Sequence, residues 1–418
     1  MREVFKISNL FLPRNAHIFL LLAIFFLYFL VPLIIEIFFL PDPFLRKLWL
    51  LALISISGIY LGSRRVSFRK SSGLKRIDTS LMLFYKSSYQ LAILVILIYF
   101  LIYLLLIVTS QSLPILSSLL GSDANLLSDE RGAFLKQRSG LMSIVSYAFS
   151  ILGASMVPFS VVTLFDLRSK FRFYVLGLVF FISISFLVKA MFLNFILPLL
   201  SFFCARYSLS NKNLVALIGG IILGLYLMTS LGGFNQSDIP SDTDAEDYIS
   251  TSYASNSIVD FLLWRSVVVP IIVARDTLIV HEEQFGGSPV LGATSGFIAM
   301  TTGRERVDME RLVFEYQYGG WNEIGNSNTT FLVDAYINFG GLGVFVLSFL
   351  AGGIIKLLTR GTSLAMGCMA ILFSYFLVIS SFFGILLSNG YLILLLWRQI
   401  QKRKLRSSAK TELDFQKS

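Results

Sequence analysis

Charge is what this chain most lacks. Only 14% of its 418 residues are Asp, Glu, Lys or Arg, against about 25% in a soluble globular domain. Histidine is scarcer still: His17 and His281 are the only two, far apart. No HxxxH or CxxC spacing exists, so no zinc site of the usual kinds is expected. Cys204 and Cys368 both lie in apolar runs and offer no disulfide framework. A GxxxxGK[ST] phosphate loop, a dinucleotide fingerprint, an internal repeat and a heptad run are all missing. ATP or nicotinamide chemistry through a known motif is therefore excluded, and no cofactor is expected.

What the chain has is hydrophobicity. Apolar residues make up 55% of it, and the mean hydropathy is +0.74. Runs such as 18–40 and 91–108 have the length and polarity of spanning helices. The first is too long for a cleavable signal, and no small-residue cleavage site follows it. The net charge of +10 does not indicate nucleic acid, because the cations gather in short stretches: 2–14, 64–76, 168–172, 206–212, 356–360 and 398–406. Such stretches orient a membrane protein and meet anionic lipid on the cytoplasmic side.

Placing all six inside makes the chain cross twice between neighbours. Residues 16–40 pair with 48–62, and 88–109 with 141–165. Residues 173–205 form two short helices turning near Lys189. Residues 214–231 lead out and 331–357 lead back, and 363–398 again form two short helices, turning near Phe382 and Phe383. The expectation is an all-α polytopic membrane protein. It forms one membrane domain over 1–418, with about ten transmembrane helices, both termini inside and a basic tail at 399–418. Two outer segments remain, 110–140 and the large 232–330.

The large loop is acidic, has no lysine, and carries five cations: Arg265, Arg275, Arg304, Arg306 and Arg311. Its residues 256–280 are apolar but include Asp260, Arg265 and Pro270. A charge near the centre of a spanning helix costs about 2.5–3.5 kcal/mol. This stretch is expected to be an amphipathic helix lying on the outer boundary.

Guanidinium groups grip phosphate through paired hydrogen bonds. Arg131 and Arg138 in the first outer loop, Arg265 and Arg275 about three helical turns apart, and Arg304 are the candidate anion-binding cations. Each could instead pair with a neighbouring acid, as Arg131 with Glu130, or Arg304 and Arg306 with Glu305 or Asp308. Lys189 either joins them or snorkels to the surface. Asp276, His281, Glu282 and Glu283 are candidate bases for a sugar hydroxyl. Asp334 is the sharpest acid, because it lies at the outer end of an apolar helix where a buried carboxylate is expensive without a purpose or partner. Glu36 reads as interfacial. Gly340, Gly341, Gly343, Gly352 and Gly353 are expected to allow close helix packing.

With these residues in view, the chain resembles Wzy-type O-antigen polymerases in its whole layout. The closest local match is NTTFLVDAYINFGGLGVFVLSFLAGGII, where members re-enter the membrane with an acid, an aromatic, a Phe-Gly pair and a further glycine. Here these are Asp334, Tyr336, Phe339, Gly340 and Gly343; the family more often has glutamate at the acid. Arg275 and Gly286 match a spacing some members carry, whereas neither Arg131 nor Arg138 has glycine at that distance.

The resemblance implies a GT-C-like glycosyltransferase at the periplasmic face of a bacterial inner membrane. It would need no metal, and would transfer a growing chain from undecaprenyl diphosphate to the non-reducing end of a new lipid-linked repeat unit. It implies as partners the undecaprenyl-diphosphate-linked glycan, membrane lipid and a chain-length regulator, and no nucleic acid. It assigns Arg265 and Arg275, with Arg131 or Arg138, to the donor diphosphate, and the base to Asp276, His281, Glu282 or Asp334. An O-antigen ligase shares the layout. A lipid-linked oligosaccharide flippase is disfavoured by the large outer loop and the lack of repeated halves.

Overall fold

The computed structural model describes residues 7–39, 41–65, 78–110, 113–122, 124–135, 138–207, 209–231, 250, 253, 255, 257–319, 325–360 and 363–415. Most of the basic stretch 64–76 lies outside these residues, as do Asp238, Asp242, Asp244, Glu246, Asp247 and Glu323. Every regular element among the described residues is helical.

Among the described residues, seven helices are long and apolar enough to cross a membrane. They are α1 (Pro13–Phe38), α2 (Pro43–Arg64), α3 (Ser87–Val108), α6 (Leu141–Asp166), α8 (Lys189–Tyr207), α9 (Asn211–Leu231) and α13 (Phe331–Thr359). Between α3 and α6 lie α4 (Pro114–Leu119) and α5 (Ala124–Leu135). Two shorter apolar helices are α7 (Arg172–Ser185) and α14 (Leu364–Ile379). The large loop carries α10 (Ile258–Phe285), α11 (Gly296–Thr302) and α12 (Met309–Tyr318). The chain closes with α15 (Phe382–Leu387) and α16 (Tyr391–Phe415). Residues 399–415 continue the helix that begins at Tyr391.

Both segments too long for one helix are divided. The first breaks between α7 and α8, where Leu187 takes a left-handed φ of 55°. The second breaks at Ser380 and Ser381, and the Ser381 hydroxyl caps α15 by accepting from the Gly384 amide at 3.2 Å. Prolines account for two local widenings. The π turns Phe25–Leu30 and Leu152–Met156 precede Pro32 and Pro158. A proline ring collides with the carbonyl four residues earlier, and a widened turn moves that carbonyl aside.

The core centres on α14, buried over almost its whole length despite being only 16 residues long. Around it, α2 and α13 pack backbone to backbone. A side chain on Gly62 would run into the Phe349 carbonyl, and one on Gly352 would meet the Ile59 carbonyl. Ser55 and Ser348 share a hydrogen bond of 2.9 Å across the same seam. Close approach through small residues is how helices associate where no hydrophobic effect drives them together.

Gly352 therefore does what was expected of it, but Gly340 and Gly343 do not. Gly340 breaks α13 with φ 67° and ψ −167°, and Gly343 is pressed against Phe339 of its own helix across that break.

The helix α10 packs on α1, α2, α9, α12 and α13. Near its start Phe261 takes the Lys189 ammonium over its ring at 5.0 Å. Near its end Arg275 pairs with Asp42, and Glu282 with Lys47 at 3.5 Å. Lys189 opens α8, and Asp42 and Lys47 stand at the start of α2, so α10 bridges those helix ends. Its bounds and its environment differ from the expected amphipathic surface helix at 256–280. Every residue from Ile271 to His281 except Arg275 is buried, so the C-terminal half lies inside protein rather than between lipid and water. Its ends carry local signals: Ser257 accepts from the Asp260 amide at 3.1 Å, and Gly286 ends the helix with φ 57°.

Candidate functional site

The break at Gly340 positions the site. It frees the carbonyls of Ile337 and Asn338, which accept from the amides of Val290 and Leu291, both at 2.9 Å. The segment after α10 is thereby fastened to the outer half of α13. Gly292, with φ 86°, turns it tightly past Ile298 and Phe339. The turn delivers Thr294, whose hydroxyl donates to Asp334 Oδ1 at 2.9 Å. Asn338, one turn on from Asp334, donates from Nδ2 to the same oxygen at 3.1 Å and to Thr294 Oγ1 at 2.7 Å. Asp334 is 4% exposed, and among the described residues two neutral donors hold it with no cation in contact.

Asp334 lies in the wall of a cavity of about 730 Å³. The cavity is bounded by α10 at Thr277, the Thr294–Phe297 turn, the start of α12, residues 327–329, the α14–α15 turn and Tyr147 of α6. Four charged side chains line it: Arg306, Asp308, Glu310 and Asp334. Arg306 is 59% exposed at the rim and reaches Asp308 at 3.6 Å. Asp308 in turn caps α12 by accepting from the Arg311 amide at 3.4 Å. On the opposite wall Tyr147 and Ser388 hydroxyls lie 3.1 Å apart. The arrangement is a polar chamber with a buried carboxylate inside and a guanidinium at its mouth, a form that suits a hydroxylated, anionic ligand.

Beside the chamber, a network ties the loop to the α1–α2 turn. Arg275 donates to Asp42 through Nε at 2.5 Å and to Asp276 through Nη1 at 3.2 Å. Gln317 Nε2 donates to the other Asp276 oxygen at 2.8 Å, and Ser327 donates to Gln317 at 2.7 Å. Burial raises the Asp276 carboxyl above its ordinary range, while Gln317 and Arg275 act against the rise. His281 is buried nearby, with Nε2 at 2.9 Å from the Ser288 carbonyl and Nδ1 without a partner among the described residues. The contact makes Nε2 the protonated nitrogen. Burial lowers the imidazole pKa, and the Ser288 carbonyl opposes that.

The residues singled out in the sequence are therefore dispersed. Asp334 lines the chamber. Asp276 and Arg275 belong to the adjoining network, and His281 packs against Phe285 and Tyr336. Glu282 is half exposed and pairs with Lys47, whose ammonium also sits over the Tyr336 ring at 4.8 Å.

The candidate cations do not converge. Arg265 and Arg304 are exposed, whereas Arg275, on the same helix as Arg265, is engaged by Asp42 and Asp276. Arg138 is spent on tying its own loop: it donates to the carbonyls of Phe134 at 2.7 Å and Leu106 at 2.9 Å and to the Thr109 hydroxyl at 2.5 Å. Lys189 serves the Phe261 ring. Arg131 lies on α5, and its side chain is outside the described residues. Glu36 is buried, held by Arg46 and Trp49, both at 2.7 Å.

The arginine of the chamber is Arg306, which sequence reasoning passed over in favour of Arg304. Thr294 was also missed; Asn338 had a readable signal, a polar residue four positions after an acid on an apolar helix. Comparison with protein-family models, with curated proteins and with solved structures finds no match to this chain.

Proposed function

We propose that the chain is a polymerase of lipid-linked oligosaccharide repeat units, working at the periplasmic face of a bacterial inner membrane as a ten-helix protein with both ends inside. The observation that carries this reading is the chamber: a polar cavity at the end of the bundle opposite the basic turns, with Asp334 in its wall and Arg306 at its rim. A bundle end with few cations faces away from the cytoplasm, where lipid-linked glycan is assembled into polymer.

In this reading Asp334 is the general base. It takes the proton of the acceptor sugar hydroxyl as that oxygen forms a bond to the anomeric carbon of the donor glycan. The bond between that carbon and the diphosphate oxygen breaks, and undecaprenyl diphosphate leaves with the electron pair. Arg306 supplies positive charge for the departing phosphate. Thr294 and Asn338 keep Asp334 aimed, and the Arg275 network holds the roof of the chamber in register with the membrane helices.

The test is a gel profile of surface glycolipid from a strain lacking the protein. Core bearing a single repeat unit, with the ladder gone, supports a polymerase. Untouched core with lipid-linked polymer accumulating would make the protein a ligase. Loss of every periplasmic repeat unit would make it a flippase.

A further inference from the structure

The helix α7 is only 14 residues long, about 21 Å of helix, against a hydrocarbon core of about 30 Å. Its first two turns stand apart from α3. An apolar groove of about 620 Å³ runs between the two, walled by Ile93, Leu97 and Phe100 of α3 and by Phe171, Tyr174 and Leu178 at α7. In a bilayer an empty groove of this kind would forfeit its dispersion contacts, so a hydrocarbon chain must fill it.

The groove ends at a cationic turn. After α6 the chain turns through Arg168 in a left-handed conformation, φ 51°, and then Ser169 and Lys170. Both cations are exposed, and among the described residues neither has an ion-pair partner. Lys170 stands over the ring of Phe171 at 5.2 Å, and Phe171 is itself a wall of the groove. Acyl-chain space and positive charge therefore meet at one place.

We propose that the α3–α7 groove is a binding site for an anionic phospholipid of the cytoplasmic leaflet. One acyl chain lies along Leu97, Tyr174 and Leu178, and the phosphate sits between Arg168 and Lys170. Charge complementarity selects the occupant: a zwitterionic lipid could fill the groove but gains less from the two cations. The site is remote from the chamber and does not depend on what the chamber does.

The experiment is native mass spectrometry of the full-length protein in mild detergent, titrated with phosphatidylglycerol or phosphatidylethanolamine. Phosphatidylglycerol should be retained preferentially at low salt. Arg168→Ala or Lys170→Ala should each weaken its retention about fivefold, and the double variant about thirtyfold, with phosphatidylethanolamine little changed. Leu97→Trp, on the lipid-facing wall, should abolish retention while the thermal midpoint stays near the parent's. Equal retention of the two lipids, or a double variant that keeps phosphatidylglycerol fully, overturns the proposal. Complete displacement of phosphatidylglycerol by polyprenyl phosphate also overturns it, by making the groove a seat for the prenyl chain.

Discussion

Asn338 and Thr294 donate to the same oxygen of Asp334, one from the next turn of the helix and one from a loop 40 residues earlier in the chain. The carboxylate is fixed in direction by groups that carry no charge. Among the described residues no cation pairs with it, whereas Asp276 is paired with Arg275. Replacing Thr294 with valine removes one donor without changing the side-chain shape. In the proposed polymerase, Thr294→Val should lower polymerisation about 10-fold or more, while Asn338→Leu, which also deletes an oxygen without a partner among the described residues, should cost activity with little loss of stability. Rates of ladder formation set against thermal midpoints would separate the two effects.

Gly340 occupies backbone space that side chains avoid, and the carbonyls it frees anchor the Val290–Leu291 segment. Gly340→Ala should destabilise the protein by about 1–3 kcal/mol and loosen that segment. Gly341→Ala next to it is the control, since the nearest atom to an added methyl is Ile54 Cδ1 at 4.0 Å. Thermal melts of the two variants, with protease sensitivity around residue 290, would check this; equal midpoints would contradict it.

Arg275 bonds two carboxylates at once, each with a different nitrogen. Lysine keeps the charge but cannot hold both partners in that geometry. Arg275→Lys should therefore cost about 1–3 kcal/mol in stability and, on the proposed function, shorten the glycan chains. Chains of parental length on a gel would show that the network is dispensable for elongation.

The pKa of His281 is lowered by burial, so the unfolded chain binds its proton more readily than the folded one. Its contribution makes stability rise with pH and drains it as pH falls below the ordinary value of 6.5. Protonation would also leave a second buried N–H unpartnered at Nδ1. Thermal midpoints should drop more steeply below that pH in the parent than in His281→Gln, which can still donate to the Ser288 carbonyl. Parallel curves would remove His281 as the cause. Asp276 acts in the opposite sense: its raised pKa makes its contribution grow as pH falls from the folded value towards the ordinary carboxylate range.

The membrane character and the helix segments were legible because apolar runs and basic turns are local signals. The division near Lys189 followed from segment length together with the parity of the basic turns, whereas α10 runs past the expected 280 to Phe285. The site was less legible. Glycine reads alike whether it allows close packing, as Gly352 does, or breaks a helix, as Gly340 does. Asp42 and Arg275 are 233 residues apart, and nothing local links them. The arginines of the large loop differ in role only through which wall they face, so Arg306 could not be told from Arg304. The burial of α10 was hidden because its charges, Arg275 and Asp276, satisfy each other and Asp42 rather than water.

The measurement that bears most directly on the central claim is the glycolipid ladder made by Asp334→Asn, expressed at the parental level in a strain lacking the native protein. Asparagine keeps the shape and loses the proposed base, which on that reading should lower polymerisation about 10²–10⁴-fold. The account predicts core with a single repeat unit and no ladder, with the variant folded and in the membrane. A full ladder from Asp334→Asn would contradict it.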